Sequence, residues 1–212
     1  MACYCDTNST QSVEGMASHN AESCLEFFKQ IGRLKHMKRT GWVLRNVSEP
    51  ETISGHMYRM AIISFLLDEN DNVNRDSHEV SAMSLVHDMA ESTVGDLTPH
   101  CGVSEEDKHK QEVAAMEHFI TLVGEKAGNE MFNLFMEYEE QKTPEAKLVK
   151  DLDKFDMILQ AFEYETSQDR KGSLEEFFKS TEGQFTHPKV QQWIEELYKQ
   201  RSKTLNEPDE CS

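Results

Sequence analysis

At 212 residues the chain is long enough for one domain with a single core, and short for two. It holds no run of the roughly 20 consecutive apolar residues a membrane-spanning helix needs, and its N-terminus lacks a basic-then-apolar leader pattern, so a soluble, intracellular, cytoplasmic protein with no membrane partner is expected. The formal net charge of -17 opposes a nucleic acid polymer as partner, but a small phosphate ester remains open because one cation and a few local basic side chains reverse the field inside a pocket. The five cysteines are odd in number and lie mostly near the ends, which reads as reduced thiols rather than a disulfide framework.

In chain order, residues 1–20 are rich in Ser, Thr, Asn and Cys without apolar periodicity and read as a disordered arm. Helical spacing begins with Leu25, Phe28, Ile31 and Leu34. It continues with Met57, Met60, Ile63 and Leu67, then Val80, Met83 and Val86. Further on come Val113, Met116, Phe119, Ile120 and Val123, then Met131, Leu134 and Phe135. Thr143-Pro144 is a capping start for a long helix carrying Leu148, Leu152, Phe155, Ile158, Leu159 and Phe162. Val190, Trp193, Ile194 and Leu197 close the series, and residues 204–212 read as a disordered acidic tail. Strand and hairpin signals are scarce, so the expectation is an all-α bundle forming one domain over residues 21–203. Phe27, Phe28, Phe155 and Phe162 fall at core spacing and read as packing groups.

No glycine-rich phosphate loop is present, so phosphate would be gripped by side chains and a metal. The segment from Val86 to Leu97 is the most informative. If the helix continues through it, Glu91 lies four residues after His87 and three after Asp88, bringing an imidazole and two carboxylates to one face. Gly95 then stops the helix and turns Asp96 back toward them. His56 leads an amphipathic helix, where a histidine is either a hydrogen-bonded boundary residue or a ligand. Asp153 follows Leu152 on a strongly apolar helix, and its neighbours Asp151 and Asp156 read equally well as solvated charges. Lys108, His109, Lys110, Lys150 and Lys154 read as solvated partners of nearby Glu and Asp. Two imidazoles and two carboxylates suit a divalent ion such as Mn²⁺, Co²⁺, Fe²⁺, Zn²⁺ or Mg²⁺.

The order His56, then His87-Asp88, then Asp153 resembles the H…HD…D signature of HD-domain phosphohydrolases. Arg39 to Val47, Ser54-Gly55-His56, His87 to Glu91 with Gly95-Asp96, and Leu148 to Asp153 are similar, more closely, to the HD-domain 5′-deoxynucleotidases, including the eukaryotic HD domain-containing protein 2 group. The resemblance runs from about Phe27 to Tyr198. It implies a metal-dependent phosphomonoester hydrolase of nucleotide metabolism, which splits deoxyribonucleoside 5′-monophosphates by attack of metal-activated water. It also implies a homodimer and dependence on Co²⁺, Mn²⁺ or Mg²⁺. By position His56, His87, Asp88 and Asp153 match the metal ligands, and Arg39 matches the arginine that orients the substrate phosphate. Trp42 matches a substrate-contacting tryptophan, although Thr40 and Gly41 intervene here where the bacterial relatives have none. Glu91 matches an acidic residue for general acid/base work, Asp96 one near the sugar and scissile phosphate, and together they offer a second-ion site. The alternatives are another HD phosphohydrolase, such as a nucleotide phosphodiesterase or triphosphohydrolase, and a non-catalytic nucleotide sensor.

Overall fold

The structure is a computed structural model that describes residues 20–67, 77–98 and 101–206. Of the two arms expected from sequence, residues 1–19 and 207–212 lie outside the described residues, whereas Thr204 to Asn206 are helical.

The described residues form helices α1 (Ala21–Gly32), α2 (Thr40–Val43), α3 (Ile53–Ser64), α4 (Ser77–Val86), α5 (Glu91–Val94), α6 (Glu105–Val123), α7 (Glu125–Glu140), α8 (Pro144–Ser167), α9 (Glu175–Thr181) and α10 (Pro188–Asn206). A 3₁₀ turn at Arg33–Lys35 follows α1. Among the described residues the only extended pairing is an isolated antiparallel bridge between Lys38 and Thr52, so the fold is all-α as expected.

The starts follow from local chemistry. Thr52, Ser104 and Thr143 each place a hydroxyl on the amide of the third residue onward, at 3.1 to 3.2 Å, satisfying a donor the helix cannot. Pro144 fits the first turn of α8 because the amide it lacks has no helical partner there. Gly124 alone separates α6 from α7, with φ of 83°.

Two clusters of buried side chains make the core. One is built on α8, with Leu148, Leu152 and Ile158 packed among Met60 of α3, Met83 of α4, Phe178 of α9, and Val190 and Ile194 of α10. The other packs Ile53 and Met57 of α3, Val86 and Met89, Met116 and Phe119 of α6, and Phe135 of α7. Helices α3 and α4 feed both clusters; His56 lies on α3, and His87 directly follows the last residue of α4. Burying a Leu- or Phe-sized side chain is worth about 1.5 to 3 kcal/mol, so the pair of helices that positions both histidines is held from two sides.

The face of α1 differs from expectation. Phe28 is 61% exposed and Leu25 also faces outward, while Phe27 packs edge-on against Phe119 with centroids 5.5 Å apart. The helix is rotated so that Phe27 and Ile31 meet the second cluster. Phe155 and Phe162 do pack on the first cluster.

Candidate metal centre and active site

The structure brings together residues more than 90 positions apart in sequence. His56, His87 and Asp88 offer donor atoms that all lie within 4.8 Å of one another. His87 Nε2 stands 3.2 Å from Asp88 Oδ2, and His56 Nε2 stands 3.3 Å from Asp153 Oδ1 and 3.9 Å from Asp88 Oδ2. Both imidazoles are buried.

The helical run expected through His87, Asp88 and Glu91 is not what forms. Helix α4 ends at Val86, residues 87–90 are turns, and α5 begins at Glu91. Tight turns, with Met89 N–H donating to Val86 O and Glu91 N–H to Asp88 O, replace the helical ladder and still leave Glu91 close enough to Asp88 to feel its charge. Gly95 ends α5 with φ of 87°, a backbone that glycine alone adopts without strain, as expected from sequence.

Each imidazole is oriented through its other nitrogen. His56 Nδ1 lies 2.7 Å from Asp156 Oδ2 and His87 Nδ1 lies 3.0 Å from the Ser84 carbonyl oxygen. Carboxylate and carbonyl oxygens only accept, so both Nδ1 atoms carry the hydrogen, and in its neutral, cation-binding form each ring directs an Nε2 lone pair inward. Those Nε2 atoms are buried without a hydrogen-bond partner. Unsatisfied buried acceptors facing carboxylates are what a cation requires, and hydrogen bonds of this kind at the far ring nitrogen accompany metal-ligating histidines. A second grouping, Glu51, His56 and Asp156, also comes within ligand range, but its atoms are already engaged with Arg39, Trp42 and Arg59. The first set, with Asp153 beside it, could therefore hold the ion.

Asp156 and Asp151, which the sequence allowed to be solvated, are both buried. Asp156 joins His56 to Arg59, and Asp151 accepts the amides of Thr186 and His187 at 2.7 Å, fastening the segment before α10. Lys150 does pair with a nearby aspartate, and that aspartate is Asp153: its Nζ donates to Asp153 Oδ2 at 3.0 Å and to the Tyr138 hydroxyl at 2.7 Å, while Tyr138 donates to the same Oδ2 at 2.8 Å. Asp153 Oδ1 is thus the oxygen turned toward His56. Of the other basic residues, Lys108 is half-buried beside Glu112, and Lys110 forms an exposed pair with Glu106.

Arg39 lies beside the cluster, its guanidinium 3.7 Å from Asp88 and 3.8 Å from Glu51. Glu51 is held in place by Tyr164, whose hydroxyl accepts its amide at 2.6 Å, and it accepts the Trp42 indole N–H at 2.9 Å. Trp42 itself is 1% exposed, wedged between Tyr164 and Phe177. Asp96 does turn back: its Oδ2 accepts the Thr40 amide at 2.5 Å and its carbonyl accepts the Thr40 hydroxyl, so it braces the start of α2 next to Arg39.

Electrostatics separate the carboxylates. Burial alone would raise all three, but His87, His56 and Arg39 hold Asp88 well below the usual carboxylate range, and Lys150 and the two histidines do the same for Asp153. Glu91 moves the other way: burial, then the charges of Asp88 and Asp96, push its carboxyl well up. Burial and Arg39 oppose a charged His56, yet Asp153 and Asp156 more than reverse this and lift it to about 9, so a cation binds His56 in competition with a proton.

Sequence reasoning missed Glu51, Asp156, Tyr138 and Lys150. Asp156 left a signal, an acidic residue one position past a core phenylalanine on an apolar helix. Tyr138 lies on α7 and meets Asp153 only through packing, whereas Lys150 stands three residues before Asp153 on α8, a spacing visible along the chain.

Residues 31–193 match the HD domain family model. The 5′-deoxynucleotidase HDDC2 of Xenopus laevis is 44% identical over 92% of this chain and 96% of its own length, and the Homo sapiens protein of the same name is 43% identical over 89% and 91%. A solved structure, the PH0347 protein from Pyrococcus horikoshii OT3, superposes with a TM-score of 0.68 at 30% identity, covering 84% of this chain and 98% of that one. Matched along most of its length by the family model and by these relatives, and carrying the buried histidine and aspartate cluster described above, the chain belongs to the HD-domain family, in the group of relatives named 5′-deoxynucleotidase.

Proposed function

We propose that this protein is a metal-dependent 5′-deoxynucleotidase that hydrolyses deoxyribonucleoside 5′-monophosphates to deoxynucleoside and phosphate. The observation that carries the reading is the pair of buried, unpartnered Nε2 atoms of His56 and His87 facing Asp88 and Asp153, with the Arg39 guanidinium alongside. The residue types fit a divalent ion, and the relatives' name supplies the substrate class.

His56, His87, Asp88 and Asp153 would hold the ion. When bound, it neutralises phosphate charge and lowers the pKa of a nearby water, which is what monoester hydrolysis requires. Arg39 binds the phosphate oxygens, its fork already fixed between Asp88 and Glu51. Glu91, whose carboxyl burial and the charges of Asp88 and Asp96 push upward, is the general acid for the departing sugar oxygen in this scheme. Asp96 keeps the Arg39 to Trp42 segment in register through Thr40, on the substrate side of the cluster. A second ion at Glu91 and Asp96 would compete with protonation of the Glu91 carboxyl, which burial favours.

The active form in this reading is a cytoplasmic homodimer. Tyr58, Ile62, Phe65 and Leu66 place exposed apolar side chains at helical spacing along and just beyond α3, and a second copy would cover that stripe. Light scattering on Phe65→Glu should report monomers where the parent protein reports dimers.

The activity is tested with metal-stripped protein and matched deoxyribo- and ribonucleoside 5′-monophosphates, with and without Co²⁺, Mn²⁺ or Mg²⁺, and His87→Ala as control. Metal-dependent phosphate release from the deoxy substrates, absent in the control, is expected. Tight metal binding with no release from any monophosphate would overturn the reading in favour of a sensor or a different phosphoester.

A further inference from the structure

Arg39 borders two spaces. On one side lies the histidine and aspartate cluster. On the other opens a cavity of about 450 Å³ lined by Arg39, Trp42, Arg45, Asp96, Glu176 and Phe177 among others. That volume falls within the roughly 300 to 1,000 Å³ of small-molecule sites. A phosphate held at Arg39 leaves the remainder of its ester beside this cavity, so its far wall decides what that remainder should be.

The wall is aromatic and charge-balanced. Trp42 is sealed in the core with its N–H given to Glu51, so it presents an edge at most. Phe177 on α9 leans on it, with centroids 4.4 Å apart and planes 40° apart, and is only half-buried. The Arg45 guanidinium stands 5.5 Å from the Phe177 centroid and is doubly bonded to Glu176, at 2.5 and 2.8 Å. Gly41 adds no side chain between them; even a methyl there would sit 3.6 Å from the Phe177 ring.

We propose that this cavity is the nucleobase subsite and that Phe177 is its stacking surface; the inference rests on the phosphate position given to Arg39 above. Aromatic stacking serves every base because every base has a π-face. The Arg45 fork is bonded to both Glu176 oxygens, so the charges at this wall are paired with each other rather than set out to read one base edge. The subsite therefore selects nucleoside monophosphates over simple sugar phosphates while tolerating purines and pyrimidines alike.

Calorimetric titration separates this from the catalytic reading, because it needs no turnover. Deoxyadenosine 5′-monophosphate, deoxycytidine 5′-monophosphate and deoxyribose 5-phosphate would be titrated into metal-stripped parent protein, Phe177→Leu and Phe177→Tyr, with hydrolysis assayed separately after metal is added. Leucine keeps apolar volume against Trp42 but removes the π-face, and should weaken both nucleotides by roughly tenfold, the scale of one base–aromatic stack. Deoxyribose 5-phosphate should titrate alike in all three proteins, and tyrosine should restore nucleotide binding. Equal weakening of the sugar phosphate, nucleotides bound no more tightly than the sugar phosphate by the parent, or a loss confined to one base would each overturn the proposal. Absence of hydrolysis alongside the expected binding pattern would count against the deoxynucleotidase reading and leave the base subsite standing.

Discussion

The two aspartates on successive turns of α8 meet the same imidazole from opposite sides. Asp153 Oδ1 faces the Nε2 of His56 and Asp156 accepts from its Nδ1, so one is placed as a ligand and the other as the group that sets the ring. The distinction has a measurable consequence. Asp153→Ala is expected to abolish turnover and metal retention with helicity intact by circular dichroism, and full activity in that variant would remove Asp153 from the ligand set. Asp156→Asn keeps an oxygen for the Nδ1 hydrogen but loses the charge, and metal affinity in chelator competition should fall by about 10- to 100-fold with binding stoichiometry retained. An unchanged affinity would mean that packing alone orients His56. Neither role was legible locally, because Asp151, Asp153 and Asp156 are the same chemistry on one helix and differ only in what the fold sets against them.

Among the elements, α6 and α7 approach so closely that a Cβ on Gly128 would lie 2.5 Å from the Ile120 Cα. Replacing a helical glycine by alanine normally gains up to about 1 kcal/mol of helix propensity. Here the added methyl meets backbone, which cannot rotate away, and overpacking costs typically 1 to 3 kcal/mol. The second effect should win. Gly128→Ala is expected to lower the urea midpoint, corresponding to a net loss of about 1 to 2 kcal/mol; a higher midpoint would show that the two helices separate freely. Long helices were visible in sequence because α6, α7, α8 and α10 repeat their apolar residues over several turns. The short ones were not: α9 shows only Leu174, Phe177, Phe178 and Thr181 at helical spacing, one repeat among many chance ones, and α5 exists because the turns at residues 87–90 break a pattern that looked continuous.

Across the whole molecule the acidic excess has to be housed, and some of it is buried. Glu112 on α6 is buried, and desolvation, opposed by Lys108, lifts its carboxyl to about 7 from the ordinary 4.5. Between those values the folded protein holds a proton that the unfolded chain has released, so stability falls as pH rises through that window and the loss is complete above about 7. Glu112→Gln should therefore gain on the parent protein in urea unfolding at pH 8, with the advantage shrinking toward pH 5. A difference independent of pH would show that Glu112 carries its charge in the folded state throughout.

The sequence by itself determined the helical class, the long helices and the identity of the candidate ligands, because apolar periodicity and the order His56, His87-Asp88, Asp153 are properties read along the chain. It also placed Gly95, since a stop after a short acidic helix calls for the one residue that tolerates positive φ. The tertiary structure decided everything that depends on a second element. It chose Phe27 over Phe28 for the core, drew Tyr138 onto Asp153, and sealed Trp42 in the core with Phe177 leaning on it. Burial and partnership are pairwise quantities, fixed by which side chains α3, α4, α7, α8 and α9 bring face to face, and one helix read alone contains only half of each pair.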